Sequence, residues 1–355
     1  MMGVEHIRDI AALDGVEVAA LCDPDAGSLA AARRLAGDGP TAWSDHRDLL
    51  ADGGCDAVVV ATPNMTHVDI LLDVIAAGVP VLVEKPLCTT VADCRRVVDA
   101  SAGPAAAGAA SGGAAFVWVG LEYRYMPAIA GLIEQVSAGV VGTVRMVAVR
   151  EHRFPFHSKV ADWNRFNANT GGTLVEKCCH FFDLIHVISG ARPVRVMASG
   201  GQDVNHLDER YDGRVPDILD NAYVVVELDS GARAMLDLCM FAEATRNQEE
   251  VSVVGDLGKV EALVPEGVVR TGIRGRHDIG RVDETTVENP DIAYHGHHHG
   301  ASYVEHMRFR DALLSGSGAE VGPDDGLWSV AVGVAAQRSI AQRRVVELDE
   351  VLDDA

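Results

Sequence analysis

The chain has no uncharged apolar run long enough to cross a bilayer, and no basic segment followed by an apolar one at its N-terminus. These absences argue against a membrane-spanning helix and a secretory signal peptide. Basic residues are also few, because 30 Lys and Arg stand against 52 Asp and Glu and give a formal net charge of −22. An acidic surface repels phosphate backbones, so we expect neither nucleic acid nor a membrane as a partner.

Signals for disulfides are missing as well. The seven cysteines are an odd number, and no two of them have C-x-x-C spacing. We therefore expect reduced, mostly buried thiols in a cytoplasmic protein. The 355 residues exceed the usual size of one domain and favour two.

Short apolar strands alternate with helical segments over the first third of the chain. The predicted strands are Glu17–Cys22, Ala57–Ala61, Val81–Glu84 and Phe116–Val119. The predicted helices are Glu5–Leu13, Ala26–Leu35, Thr66–Ala77 and Thr90–Ala100. Continuous apolar strands alternating with helices indicate a parallel sheet covered on both faces. The low-complexity segment Ala102–Ala115 predicts a mobile loop.

The pattern changes after about residue 140 and indicates an α+β arrangement with an antiparallel or mixed sheet. The predicted strands are Thr143–Glu151, Ala222–Leu228, Ala232–Met240, Glu250–Val254 and Lys259–Leu263. The predicted helices are Pro127–Ser137, Leu174–Ile188, Tyr303–Leu314 and Gly326–Ala341. We therefore divide the chain into residues 1–121 and residues 122–355.

Gly3 and Asp23 have the spacing of the third glycine of G-x-G-x-x-G and the acid that binds the adenosine ribose. The first two glycines and the strand before them would then lie upstream of residue 1, so we expect a parallel sheet without its first strand. A carboxylate at Asp23 repels a 2′-phosphate and favours NAD over NADP. The alternatives are that Gly3 is an ordinary glycine and that Asp23 caps the next helix.

A polar loop, Thr62-Pro63-Asn64, follows the predicted strand Ala57–Ala61, with His67 one turn into the next helix. Ligands of open parallel sheets bind beyond the carboxyl ends of the strands. These residues are therefore candidates to contact the cofactor ribose or the substrate. The alternative is a helix cap, with His67 at the surface.

A second loop at a strand end carries Glu84-Lys85-Pro86. A lysine after a buried strand is costly unless it has a partner or a role. There it can polarise or protonate a carbonyl oxygen. The alternative is a Glu–Lys pair at the surface.

The predicted helix Leu174–Ile188 is apolar except for one stripe, on which Glu176, His180 and Asp183 follow each other at helical spacing. Histidine is suited to proton transfer near neutral pH, and Glu176 can orient its ring. The alternatives are a core histidine paired with a carboxylate, or a metal site, although two ligands do not fill a coordination shell.

Three further clusters are candidates. Glu122-Tyr123-Arg124-Tyr125 can line the ligand cleft or pack between domains, and Asp162-Trp163-Asn164-Arg165 can bind a sugar or anchor a loop. The third is a histidine tract, for which substrate contact is preferred to metal binding: His295, His297, His298 and His299.

Together these motifs resemble the glucose–fructose oxidoreductase / inositol dehydrogenase / rhizopine-catabolism family (Gfo/Idh/MocA). The matching stretches are Ala61-Thr62-Pro63-Asn64 with His67, Val83-Glu84-Lys85-Pro86, Tyr123-Arg124-Tyr125, and Gly171-Gly172 with Glu176, His180 and Asp183. The resemblance implies a Rossmann-type dinucleotide-binding domain and a C-terminal α/β domain for substrate binding and oligomerisation. It makes Lys85 the catalytic lysine and His180 the proton-transferring residue, and it implies a cis peptide before Pro86.

The chain departs from the family pattern at three places. The glycine-rich loop is incomplete, and Glu176 stands where the family commonly has Asp. Lys177-Cys178-Cys179 replaces a commoner apolar–Gly–small run and puts a second lysine beside His180. The family therefore predicts the class of chemistry better than the substrate.

We therefore predict an NAD-dependent oxidoreductase, NADP being disfavoured, that acts on a CH–OH group of a sugar or cyclic polyol such as an inositol. His180 and Lys85 act in catalysis with Glu176 as the orienting acid, and no metal is required. The predicted cofactor contacts are Gly3, Asp23, Thr62, Pro63, Asn64, His67, Glu84 and Pro86. The predicted substrate contacts are Arg124, Trp163, Asn164, Lys177 and Asp183. We also expect a homo-oligomer, a dimer or a tetramer. The rival functions are a non-catalytic sensor of the same fold and a chain that is inactive without its phosphate loop.

Overall fold

The computed structural model describes residues 2–103 and 115–354, and these fall into two compact units. The first unit comprises Met1–Cys88, Ala92–Glu122 and Pro290–Leu327, and the second comprises Thr89–Val91, Tyr123–Asn289 and Trp328–Ala355. Most of the segment 102–115, predicted to be a loop, lies outside the described residues. The division into domains 1–121 and 122–355 stays a prediction.

The strands of the first unit are short, parallel and grouped in two sheets. They are β1 (Ala20–Cys22), β2 (Thr41–Trp43), β3 (Val58–Val60), β4 (Val81–Glu84) and β5 (Val117–Gly120). The first sheet pairs β1 with β2, and the second has the order β3-β4-β5. Among residues 2–103 and 115–354 no strand joins β1 to β3. The predicted parallel sheet is confirmed, and all residues of its central strand β4 are buried.

The α-helices of the first unit include α1 (Met2–Ala11), α2 (Ala26–Ala36), α3 (His46–Asp52), α4 (His67–Ala76), α5 (Val91–Ala102) and α10 (Ala301–Ser315). Local side chains fix where they begin. Asp25 is the N-cap of α2, because its Oδ1 accepts the N–H of Ser28 at 2.7 Å, and Asp45 caps α3 in the same manner.

The second unit contains a nine-stranded sheet in the order β13-β12-β11-β10-β6-β9-β8-β7-β14. Its strands are β6 (Val144–His152), β7 (Pro193–Gly201), β8 (Asn221–Leu228), β9 (Arg233–Cys239), β10 (Glu249–Gly255), β11 (Gly258–Val264), β12 (Val268–Ile273), β13 (Asp283–Thr286) and β14 (Val346–Glu347). β6 pairs with β9 in parallel, and the other strand pairs of this sheet within the described residues are antiparallel, so the prediction of a large, mostly antiparallel sheet is confirmed.

The helices of the second unit are α6 (Pro127–Ser137), α7 (Asn167–Thr170), α8 (Thr173–Glu176), α9 (Cys179–Ser189), α11 (Pro323–Gln342, of which the residues from Trp328 belong here) and α12 (Leu348–Asp353). Helices α6, α9 and α12 contact the sheet. Successive strand residues point to opposite faces, so β8 buries Val224 and Val226 while Tyr223 and Val225 are exposed. No helix of the described chain has the length and hydrophobicity that a bilayer crossing requires.

The prediction of one continuous helix over Leu174–Ile188 is wrong, because the helix breaks between Glu176 and Cys179. The N–H of Cys178 reaches the carbonyl of Thr173, five residues back, instead of that of Leu174. The Leu174 carbonyl lies against Gly333 of α11, where an added Cβ would be 2.4 Å from the oxygen. This close approach accompanies the break, and apolar periodicity alone does not reveal it.

Candidate active site

Lys85 follows the buried strand β4, and the Lys85–Pro86 peptide is cis, as the family resemblance implies. The preceding carboxylate turns inward. Glu84 is buried, its Oε1 lies 3.0 Å from Nε2 of His6, and its Oε2 accepts the backbone N–H of Lys85 at 3.2 Å. The alternative of a Glu84–Lys85 pair at the surface is therefore wrong.

The charge of Glu84 is stabilised from within the fold. Burial opposes its ionisation, but the hydrogen bond and charge of His6, and the charges of Lys85 and His298, lower the pKa of Glu84 to about 2. Glu84 is consequently a fixed anion next to the backbone of Lys85. It holds the loop and adds negative potential beside the lysine.

The loop after β3 is tied to the loop after β4 by His67, which is fully buried. Its Nδ1 lies 2.9 Å from the carbonyl of Pro86, and its Nε2 lies 3.1 Å from the carbonyl of Thr62. Burial lowers the pKa of His67, so the neutral ring is favoured. The alternative of a surface His67 is wrong, and the structure brings Thr62, His67 and Pro86 together.

Asn64 offers an unused hydrogen-bond donor at the same strand end. Its side chain is buried, and its Nδ2 has no hydrogen-bond partner among residues 2–103 and 115–354. Buried polar atoms are nearly always paired, so an orphaned amide suits a bound polar ligand. The neighbouring Thr62 has a partner, because its Oγ1 accepts the hydroxyl of Thr66 at 2.9 Å.

Asp23 lies just after the end of β1, and Gly3 lies in the first turn of α1. Asp23 follows β1, and its Oδ1 accepts the N–H of Asp25 at 2.8 Å, while Asp25 caps the helix. The alternative that Asp23 is the helix cap is therefore wrong. An added Cβ at Gly3 would lie 3.9 Å from that of Ala61, which places the start of α1 beside the residue before Thr62.

His180 lies on α9 in the second unit and is buried. Its ring is stacked face to face on that of Tyr123, with the centroids 3.9 Å apart and the planes within 8°. The Tyr123 hydroxyl accepts a hydrogen bond of 2.6 Å from Nζ of Lys177. A tyrosine that is held at both its ring and its hydroxyl fixes the plane of the histidine ring.

Arg124 and Asp183, two predicted substrate contacts, form a bidentate ion pair with each other. Nε of Arg124 donates to Oδ2 of Asp183 at 2.6 Å, and a terminal nitrogen donates to Oδ1. Both side chains are buried. A fork-shaped guanidinium matches a carboxylate in this geometry, so the pair fixes the residue after Tyr123 to α9, the helix that carries His180.

Lys177, a third predicted substrate contact, is paired inside the second unit. Its Nζ lies 2.9 Å from Oε1 of Glu151, and both residues are buried. Burial lowers the pKa of Lys177, while the charge of Glu151 opposes that shift. The lysine thus bridges Glu151 on β6 and the hydroxyl of Tyr123.

The ammonium group of Lys159 contacts both Glu176 and the ring of Trp163. Its Nζ donates to Oε1 of Glu176 at 3.1 Å and lies 4.4 Å from the centroid of the Trp163 ring. Trp163 is half-buried and follows Ala161 and Asp162, both with left-handed backbone. Strained backbone of this kind often positions functional side chains.

Asn164 anchors its own loop. The side chain is buried, and its Nδ2 donates to the carbonyl of His157 at 3.0 Å. This favours the loop-anchoring alternative for Asn164. Lys159 and Tyr123 are not among the residues that the sequence motifs predict for the site. In the sequence, Tyr123 cannot be distinguished from an aromatic core residue, because it lies three residues before the buried Met126.

The histidine tract packs onto α1 of the first unit. The backbone N–H of His297 donates to Oε1 of the buried Glu5 at 2.6 Å, and Nδ1 of His298 lies 3.4 Å from Oε1 of Glu122. The segment is thus held by acidic side chains, and its proposed contact with substrate stays a prediction.

Two family models match the chain. One, described as an oxidoreductase family with an NAD-binding Rossmann fold, matches residues 1–104, and the other, described as the C-terminal alpha/beta domain of an oxidoreductase family, matches residues 133–348. Both carry the name Gfo/Idh/MocA.

Known proteins resemble the chain over most of its length. It is 31% identical to inositol 2-dehydrogenase 2 of Saccharopolyspora erythraea over 78% of this chain and 75% of that one. It is 25% identical to myo-inositol 2-dehydrogenase of Thermotoga maritima over 99% of this chain and 97% of that one. The solved structure of a levoglucosan dehydrogenase complexed with NADH superimposes with a TM-score of 0.82 at 19% identity, over 98% of this chain and 96% of that one. That likeness concerns the fold.

Proposed function

Because the chain belongs to the Gfo/Idh/MocA oxidoreductase family, we propose that it moves a hydride between NAD and a secondary alcohol or ketone of a cyclic polyol or sugar. An inositol is the first substrate to test, since curated relatives over most of the chain are inositol dehydrogenases. The observation that carries the proposal is the buried His180 on α9, whose ring is stacked on that of Tyr123.

His180 accepts the hydroxyl proton of the alcohol when the ring carbon is oxidised, and returns it in the reverse direction. Tyr123 keeps the imidazole in one plane, and Lys177 holds Tyr123 through its hydroxyl. Glu176 is the acid proposed to orient His180, and Lys159 limits its movement. The hydrogen bond between Lys177 and Tyr123 gives the second lysine a positioning role.

Lys85 is proposed to stabilise the negative charge that develops on the substrate oxygen. Its backbone is held by Glu84 and its loop by His67, so the residue starts from a rigid strand end. A preorganised cation of this kind needs no rearrangement as charge develops.

The dinucleotide, when bound, supplies the hydride acceptor or donor. Asp23 is proposed to accept hydrogen bonds from the ribose hydroxyls, and the orphaned amide of Asn64 is free to donate one. Gly3, Thr62, Pro63, His67, Glu84 and Pro86 complete the proposed set.

The half-buried indole of Trp163 beside Lys159 is proposed to contact the substrate ring, because an aromatic face suits the C–H face of a sugar or polyol. Arg124, Asn164, Lys177 and Asp183 are already bonded within the second unit. We therefore propose that these four shape the region around Trp163 and His180.

The activity is tested by adding NAD⁺ to the purified chain with a panel of inositols and sugars, and by following NADH absorbance. We expect His180→Asn and Lys85→Met to lower kcat by at least about 100-fold, the lower end of general acid–base contributions. Matched controls are His186→Asn on the same helix and Lys259→Met on β11, which should keep the parent rate. Parent turnover in both active-site variants would refute the assignment. Tight NAD⁺ binding without turnover on any panel member would favour a sensor.

We also infer that the exposed face of the nine-stranded sheet binds a second copy of the chain. Met197, Val225 and Met235 lie side by side on β7, β8 and β9 in one register row, and all three are exposed. An apolar row across three strands is typical of an interface. A two-fold arrangement would bring the same row of each copy together.

A further inference from the structure

A buried group of two histidines and an aspartate lies in the first unit. Within the part of the chain that the structure describes, His6, Asp9 and His306 form the one group of three potential metal ligands whose donor atoms all lie within 4.8 Å of one another. His6 and Asp9 are one turn apart on α1, and His306 is on α10. None of the three is more than 3% exposed.

The separations suit a small cation. Nδ1 of His6 lies 2.8 Å from Nε2 of His306. Zinc holds nitrogen and oxygen ligands at about 2.0–2.2 Å, which puts neighbouring donor atoms of a tetrahedron about 3.3–3.6 Å apart. The two nitrogens are at hydrogen-bond distance, and the Asp9 carboxylate lies within 4.8 Å of both. A separation of the two rings by about 0.5–0.8 Å would let all three donors bind one ion.

The outer contacts of the cluster match those of a metal site. A histidine that binds a metal through one ring nitrogen almost always donates the other N–H to a carboxylate or carbonyl. Nε2 of His6 lies 3.0 Å from Oε1 of Glu84. This contact leaves the lone pair of Nδ1 directed at His306.

A hydrogen bond between the two histidines does not by itself account for Asp9. Its Oδ2 is buried and has no hydrogen-bond partner among the described residues, which is costly for a carboxylate. A metal ion would give this oxygen a partner, and the buried Glu84 lies beside it, bonded to His6.

We propose that His6, Asp9 and His306 bind one divalent transition-metal ion, best matched by zinc, with Glu84 as the outer-sphere carboxylate. Two imidazoles and one carboxylate are a donor set typical of zinc, with a fourth position for water. Because the ligands come from α1 and α10, the ion would cross-link the first and one of the last helices of the first unit. Its expected effect is on the stability of the first unit, which is measured without reference to the proposed hydride transfer.

The test titrates the full chain, freed of metal with a chelator and dialysed, with Zn²⁺ in a calorimeter. We expect one ion per chain and a rise in the thermal midpoint of unfolding. His306→Phe, which fills the volume without a donor, and Asp9→Asn should each weaken binding at least about tenfold. Glu84→Gln should weaken it about 10- to 100-fold, as loss of outer-sphere contacts does.

The matched control replaces surface histidines that could bind zinc weakly. The double variant H295A/H297A leaves the buried cluster unchanged and should keep the affinity and the midpoint shift, and the exposed His277→Asn should behave alike. No stoichiometric binding by the parent chain overturns the proposal. Binding that survives His306→Phe and Asp9→Asn but is lost in H295A/H297A also overturns it. Neither outcome depends on turnover, so the proposed activity is judged separately.

Discussion

At the scale of single residues, the second unit buries two carboxylates opposite each other. Glu249 on β10 and Glu151 on β6 are register partners, and both are at most 1% exposed. Lys177 pairs with Glu151 at 2.9 Å, and Arg153 lies 3.5 Å from the same oxygen. Burial, together with the charge of Glu151, raises the pKa of Glu249 to about 8. At neutral pH Glu249 is thus mostly a neutral acid.

This shift predicts a pH dependence of stability. The folded chain keeps a proton on Glu249 that the unfolded chain releases above its ordinary pKa of 4.5, so stability is greatest below that value and is lost as the pH rises toward 8. One proton gives a slope of at most about 1.4 kcal/mol per pH unit. We expect Glu249→Gln to flatten this slope in urea unfolding measured at pH 5, 6, 7 and 8.

The control is Glu250→Gln on the same strand, which removes the partner of Arg150 on the exposed side of the sheet. It should shift the free energy of unfolding by a similar amount at every pH. A parallel offset in Glu249→Gln, with the slope of the parent chain retained, would show that the proton is not held at Glu249.

Residue chemistry was predictable where a side chain follows a strong local pattern. The strand before Lys85 and the apolar helix around His180 are visible as runs of hydrophobic residues. The partners were not predictable, because they come from distant parts of the chain. Glu84 binds His6, and Lys177 binds Glu151.

At the scale of elements, the break between α8 and α9 predicts that α11 tolerates no side chain at Gly333. An added Cβ at Gly333 would lie 2.4 Å from the Leu174 carbonyl and 3.0 Å from Cγ2 of Val175. Gly333→Ala must therefore displace backbone, and we expect a net loss of about 1–3 kcal/mol of unfolding free energy, as for overpacked cores. This would be measured by urea unfolding at constant pH.

Gly131 of α6 is the matched control. There an added Cβ would meet only methyl groups at 3.5 Å or more, which is ordinary contact. Gly131→Ala should be neutral or stabilising by up to about 1 kcal/mol, the usual gain in helix propensity. Equal effects of the two substitutions would mean that the close approach at Leu174 does not constrain the fold.

Most strands and helices were predicted within a few residues, and several of those that were not have physical causes. Helix α3 and strand β2 are short and follow polar turns. Strand β13 is exposed along its whole length, so it has no apolar face to reveal it. Strand β7 was missed because the outward-facing Met197 interrupts the alternation of apolar and polar residues. Met197 also belongs to the exposed row that we propose binds a second copy of the chain.

At the scale of the whole molecule, the acidic net charge opposes the association that we propose for the exposed sheet face. Every copy has a formal net charge of −22, so two copies repel at long range. The face itself has little net charge near its centre, since Arg150 pairs with Glu250 and His152 lies 3.1 Å from Asp237. Association should therefore strengthen as salt screens the distant charges, with a Debye length of about 10 Å at 0.1 M.

The final prediction follows from this balance. Val225 occupies the middle of the exposed row between Met197 and Met235. Val225→Glu places a charge against its own symmetry mate, so we expect the mass measured by light scattering after gel filtration to fall from that of an oligomer to that of one chain. The control is Ile279→Glu, which alters an apolar side chain 90% exposed elsewhere in the second unit and should leave the mass unchanged. Salt is varied from about 0.05 to about 0.5 M, a range over which screening changes strongly. A parent chain that is monomeric throughout this range would contradict the assignment of this face, and so would a Val225→Glu variant that stays oligomeric.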